Sequence, residues 1–213
     1  MSYQTLNNAY NLNYVESYNE NILIKKDIII YSPGGVACSI LFKHILDNNN
    51  ILINDINDKD RIKHVHIPQN NVTKKALYIM NDPLLAVLSH YRRNWAPTQM
   101  KKLNNYKYKD YSLEKLLKTT EKQNKDIFGI ETQFNNFINS NVNYPIMFVY
   151  FPNILKNKEK ICKFLNIKPT TFDNLKIEKR NSEKNNISPK VLKIYEKLNK
   201  RFLDYDTYIL QNN

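Results

Sequence analysis

Hydrophobic positions along the chain fall into short runs and helical stripes that alternate. The β-branched run Asp27–Tyr31 has the length and character of a buried parallel strand. Beyond it, Val36, Ile40, Leu41, His44 and Ile45 recur at helical spacing up to Asp47. A second unit follows, with a strand at Lys75–Met80 and an apolar helix through Leu84, Leu85, Val87, Leu88 and Tyr91. Between these, Asp82 is suited to cap the helix and Pro83 to open it. Helices are predicted over Ser112–Thr120 and Ile130–Ile138, a third strand over Tyr144–Tyr150, and a short helix over Asn157–Leu165. Ser188-Pro189 opens a last helix with apolar positions Val191, Leu192, Tyr195, Leu198 and Phe202. Strands alternating with helices predict an α/β fold, a central parallel sheet flanked by helices.

No repeat or Gly/Ser linker divides the chain. The expected layout is an N-terminal extension over residues 1–26 and one α/β domain over 27–213. At 213 residues, 42% of them hydrophobic, the chain can bury a large core without staples. No apolar stretch approaches the roughly 18 residues of a membrane span, and Met1–Glu20 has no secretory pattern, so an intracellular, by default cytoplasmic, location is expected. Cys38 and Cys162 share no metal or redox spacing and read as reduced, partly buried thiols. The net charge of +12 has two readings: lysines dispersed over a solvated surface, or a surface for an anionic partner.

Only three glycines occur, two of them adjacent at Gly34-Gly35, between the first strand and its helix. Glycine is used where backbone turns sharply or approaches a ligand closely. A strand running through Ser32-Pro33-Gly34-Gly35 into a helix leaves backbone amides pointing at one place, and the helix dipole adds positive potential there. Ser39 could add a hydroxyl. The Gly-Lys-Ser/Thr ending of a Walker A motif is absent, which argues against an ordinary ATPase or GTPase. Elsewhere, Lys63-His64-Val65-His66-Ile67-Pro68 alternates like a strand edge, which would put His64 and His66 on one face. No third metal ligand accompanies them. His44 reads as a packing residue, His90 as a helix-surface one, and Trp95 as a core anchor or a cover for a ligand's ring. The Tyr106–Tyr111 stretch interleaves aromatic and basic residues, as a base- or sugar-stacking surface or a half-buried edge would.

Taken in order, these segments resemble the sulfotransferase family, which moves a sulfuryl group from 3′-phosphoadenosine 5′-phosphosulfate (PAPS) to a hydroxyl or amine. Ser32–Ser39 sits where that family has its 5′-phosphosulfate loop, commonly Pro-Lys-Ser-Gly-Thr-Thr. Val65-His66-Ile67-Pro68 is similar to its Thr-His-Leu-Pro segment, whose histidine is a base. Lys75–Arg93 resembles the 3′-phosphate segment, with Asp82-Pro83 as its corner and Ser89 as its helix serine. Pro145–Ile167, then Arg180-Asn181-Ser182 with the helix from Ser188, resemble the later segments. The resemblance implies a P-loop-NTPase-like three-layer fold, PAPS as cofactor and a small-molecule or carbohydrate acceptor. It further implies His66 as catalytic base, backbone and side chains of Ser32, Gly34, Gly35, Val36, Ala37, Cys38 and Ser39 around the 5′-phosphosulfate, and Asn81, Ser89, Arg93 and Arg180 near the 3′-phosphate. Three departures stand against it. The loop has no lysine, Asn81 replaces the corner arginine, and Val36 and Ala37 stand where threonine hydroxyls would be. Losing one preorganised donor costs about 2.7–4 kcal/mol in the transition state. Lys43, Lys63, Arg92, Arg93 and Arg180 are the available substitute cations. The competing readings are a catalytically silent binding or structural module and, behind it, a nucleic-acid-binding protein with steep salt dependence.

Overall fold

The computed structural model describes residues 25–105, 111–177, 184 and 187–211. Residues 1–24 of the anticipated extension, most of the Tyr106–Tyr111 stretch, and Arg180 with Asn181 and Ser182 lie outside the described residues, and Lys26 already belongs to the first strand. The fold is α/β, a four-stranded, mostly parallel sheet flanked by helices. Strands β1 (Lys26–Tyr31), β2 (Thr73–Met80) and β3 (Ile146–Tyr150) run parallel, and β4 (Ile209–Leu210) pairs antiparallel with β3. Ile30 lies beside Leu77, and Leu77 beside Met147.

The third strand is shorter than its apolar run predicts, because Tyr144 lies outside the ladder and its hydroxyl donates to the Gln69 carbonyl at 2.8 Å. Both faces of the sheet are covered. Tyr78 packs on Phe134 and Phe137 of helix α5 (Ile130–Ile138), with centroids 6.3 and 4.6 Å away. Lys75, an odd number of residues away in the same strand and so on the other face, donates to the Phe164 carbonyl of α6 (Lys158–Leu165) at 2.7 Å.

The edge beyond β1 decides where a ligand could sit. Ile53 makes a parallel bridge to Ile28, and the Asn54 side chain pairs with Ile30 as a strand backbone would, accepting from its N–H at 2.8 Å and donating to its carbonyl at 3.1 Å. After β1 the chain passes through α1 (Cys38–Asn48) to this outer edge, then crosses back to lay β2 on the other side. Strand order therefore reverses at β1, which opens a crevice beyond the carboxyl ends of β1 and β2, where open α/β sheets bind ligands.

Local chemistry explains three of the helix starts. Asp82 caps α2 (Pro83–Arg92) by accepting the Leu85 N–H at 3.0 Å, with Pro83 at the first position. Ser112 caps α4 (Leu113–Gln123), and Ser188 caps α7 (Pro189–Asp204) ahead of Pro189. The first helix departs from expectation. It starts only at Cys38, so Val36 is buried in the loop before it, and the buried face is Cys38, Leu41, Phe42 and Ile45 rather than the stripe through Ile40 and His44. Helix α3 (Ala96–Leu103), unanticipated from the sequence, seats Met100 and Leu103 in the core. Among the described residues no helix is long and apolar enough to cross a membrane.

Candidate functional site

At the end of β1 the chain enters three left-handed residues in quick succession, Gly34 (φ +77°), Gly35 (φ +69°) and Ala37 (φ +59°). Gly34 and Gly35 are needed for space as well as conformation. A β-carbon on Gly34 would lie 2.7 Å from the His90 ring, and one on Gly35 would lie 2.7 Å from the Ala86 carbonyl oxygen. The loop is thus pressed against α2. Its other ties are polar: the Pro33 carbonyl accepts from Gln99 Nε2 at 3.0 Å and His90 Nε2 at 3.2 Å, and Ser32 Oγ accepts the Gly34 N–H at 3.2 Å. Ala37, at the cap position of α1, supplies no side-chain cap, and the first turn carries no acidic residue. The positive end of this helix is therefore left without a side-chain cap or a first-turn carboxylate.

The Ser32 N–H donates to the Lys63 carbonyl at 3.0 Å, which brings the 61–70 segment against the loop. That segment is a series of turns rather than a strand edge. The two histidines expected on one face consequently part company. His64 donates from Nδ1 to the Ser32 carbonyl at 2.8 Å, which leaves Nε2 as the unprotonated ring nitrogen. His66 donates from Nδ1 to the Leu103 carbonyl at 2.6 Å while its Nε2 accepts from Asn136 at 3.1 Å.

A cavity of about 810 Å³ opens over the loop at the crevice defined by strand order. Of the anticipated binding residues, Gly34, Gly35, Ala37, Cys38, Ser39 and Arg93 line it. Ser32 and Val36 are fully buried behind the loop, and His66, Asn81 and Ser89 are outside its walls. The Asn81 carboxamide accepts the Asp82 N–H at 2.7 Å, and Ser89 Oγ is buried with no hydrogen-bond partner among the described residues.

Some wall residues lie elsewhere than their sequence context predicts, whereas Lys63, one of the substitute cations, does line the cavity. His90, expected on a helix surface, is 1% exposed and stacks on Phe128 at 5.4 Å. The available signal was its position three residues after Val87 and four after Ala86, on the buried stripe of α2. Trp95, read as a core anchor or ring cover, is 60% exposed on the cavity rim, with the Arg93 guanidinium 4.8 Å from its ring. Lys63 reaches the cavity with its side chain buried along Phe42, and Asp58 pairs with Lys102 at 2.5 Å.

Burial sets the protonation of both wall histidines. Loss of hydration drives the pKa of His64 down to about 4, and that of His90 to about 3, with the neighbouring His64 and Arg93 charges pushing His90 the same way. Both rings are neutral near pH 7, donating to loop carbonyls and stiffening the loop. The Cys38 thiol lies 3.3 Å from Ser32 Oγ, and both cysteines are free and buried. Burial pushes the Cys162 thiol up to about 11, well away from reactivity. The assembled site offers uncapped amides, four cationic side chains from outside the loop (Lys63, Arg93, Lys102 and Lys176, of which Lys102 is paired with Asp58) and the unprotonated Nε2 of His64. Comparison with protein-family models, with curated proteins and with solved structures finds no match to this chain.

Proposed function

We propose that the protein is a sulfotransferase-like enzyme of P-loop-like architecture that binds PAPS over the Gly34–Ser39 loop and transfers its sulfuryl group to a hydroxyl-bearing acceptor. The observation that carries the reading is the convergence of this loop, Arg93 and His64 on one cavity at the point where strand order reverses. In the proposed reaction the acceptor oxygen forms a bond to sulfur as the bond to the bridging oxygen breaks. Adenosine 3′,5′-bisphosphate leaves, and the acceptor proton passes to His64 Nε2. The transition state is loose and anionic, so catalysis is positioning and charge stabilisation. His64 takes the role that the family resemblance implies for His66, because both His66 nitrogens are engaged elsewhere. Its low pKa in the free protein rises toward the useful range once an anion lies nearby, since opposite charge favours the imidazolium. Arg93 substitutes for the missing corner arginine.

Titration with adenosine 3′,5′-bisphosphate, followed by thermal unfolding, tests the binding half. Saturable stabilisation is expected, about 2.7 kcal/mol at a hundredfold excess over the dissociation constant. No shift at millimolar nucleotide would exclude the reading. A second reading, a catalytically silent binding module, is favoured by the absence of lysine from the loop itself and by the use of Asn81 to hold its own backbone. Nucleotide binding without sulfuryl transfer to any phenolic, alcoholic or carbohydrate acceptor would select it.

A further inference from the structure

Lys63 is the least conventional residue of the cavity. The residue is 4% exposed, yet among the described residues its Nζ meets no carboxylate. Its partners are the Ile56 carbonyl at 2.8 Å, Ser39 Oγ at 3.4 Å and the face of Phe42 at 4.8 Å. All are neutral, and together they use two of the three ammonium protons. Asp58, which lines the same cavity, is committed elsewhere: one oxygen accepts the Lys63 backbone N–H at 2.9 Å and the other holds Lys102. Buried charges are normally paired, because an ammonium taken out of water loses several kcal/mol of hydration that neutral dipoles only partly replace. This one is left facing a cavity, touching the hydroxyl of Ser39 in the first turn of a helix whose amides have no side-chain cap.

We propose that Lys63, reaching in from the turn beyond the outer edge of the sheet, is the cation of an oxyanion site that holds a phosphate or sulfate-ester group against Ser39 Oγ and the first-turn amides of α1. The inference deepens the reading of the same cavity given above and rests on it for where the ligand lies. It also accounts for the loop that has no lysine. The charge is carried by a residue 24 positions further along the chain that folds back onto the first helical turn. A point charge with a free proton suits a tetrahedral oxyanion, and the dipole and ammonium act on it additively.

The test uses the full-length protein and three probes, inorganic sulfate, inorganic pyrophosphate and adenosine 3′,5′-bisphosphate, each against chloride at matched ionic strength. Thermal unfolding and calorimetry are run on the wild type, Lys63→Met and Lys63→Arg. Methionine keeps an apolar stem against Phe42 and removes the charge. Without ligand, Lys63→Met is expected to melt at the same temperature as the wild type or higher, since it relieves an uncompensated charge. Its affinity for each anion that the wild type binds should fall roughly 10- to 100-fold, the loss of one charge-assisted hydrogen bond. Lys63→Arg should recover most of it. A ligand-free Lys63→Met that is clearly destabilised or unfolded, or that keeps wild-type anion affinity, would overturn the proposal and make Lys63 structural. Lys63-dependent binding of sulfate or pyrophosphate with no response to the nucleotide would uphold the oxyanion site and reject PAPS. No wild-type response to any of the three would reject both.

Discussion

Gly35→Ala adds one methyl group where the backbone of α2 already stands. The new Cβ would lie 2.7 Å from the Ala86 carbonyl oxygen, 2.9 Å from its Cα and 3.2 Å from its carbonyl carbon. Those atoms belong to a helix turn held by the Asp82 cap and by Ala86 N–H donating to the Asp82 carbonyl at 3.0 Å, so no side-chain rotation relieves the contact. The backbone conformation adds a second penalty, because φ is +69° and a β-carbon in the left-handed region costs roughly 1–2 kcal/mol. Overpacking of a fixed core typically costs about 1–3 kcal/mol. Together these predict a loss of about 2–5 kcal/mol, or roughly 4–20 °C in melting temperature for a chain of this size. Urea and thermal unfolding followed by circular dichroism measure it. The double variant Gly35→Ala with Ala86→Gly should recover little, since trimming Ala86 removes neither its oxygen nor its Cα. A loss below about 0.5 kcal/mol, or near-complete rescue by the double variant, would refute the claim that this glycine is required by close approach.

Two further outcomes follow from groups around the loop. His64 and His90 have folded pKa values of about 4 and 3, below the ordinary 6.5, so the unfolded chain takes up the protons first as pH falls. Their contribution is therefore fully present above pH 6.5 and is lost as pH drops through 6.5 toward 4 and then 3. By pH 5 the loss should reach roughly 2 kcal/mol for each ring, measured by urea unfolding between pH 7 and 5; a flat profile would contradict the burial of two neutral imidazoles. Asn54→Ala strands the N–H and carbonyl of Ile30 in the buried sheet edge and should cost about 2–4 kcal/mol. Asn54→Asp, which buries an unpaired carboxylate against the Ile30 carbonyl, should lose at least as much, and equal stability in all three proteins would show that water replaces the amide.

Much of the scaffold could be read from neighbouring residues alone. The β-branched run ending at Tyr31, the cap and proline at Asp82-Pro83 and Ser188-Pro189, and the Gly34-Gly35 pair each act over a few residues, through sterics and local hydrogen bonds. Strand, cap and left-handed turn therefore appear in the sequence much as they appear in the fold. The start of α1 was already less legible, because the left-handed Ala37 delays it and rotates its buried face by about one residue. The order of strands, and with it the position of the crevice, was not legible, since it depends on Ile53 and Asn54 crossing to the far side of β1.

The strand–loop–helix and its capacity to present uncapped amides were determined by the sequence itself, through glycine conformation and the absence of acidic or capping side chains in the first turn. Tertiary structure decided which side chains meet those amides. His64 and Lys63 enter the cavity, and His66 turns away to Leu103 and Asn136, because the 61–70 segment folds as turns and its alternating sequence joins no strand ladder. Its side-chain directions are imposed by the Ile56 carbonyl close by in the chain and by the Ser32 N–H and carbonyl, which meet this segment only in the folded protein.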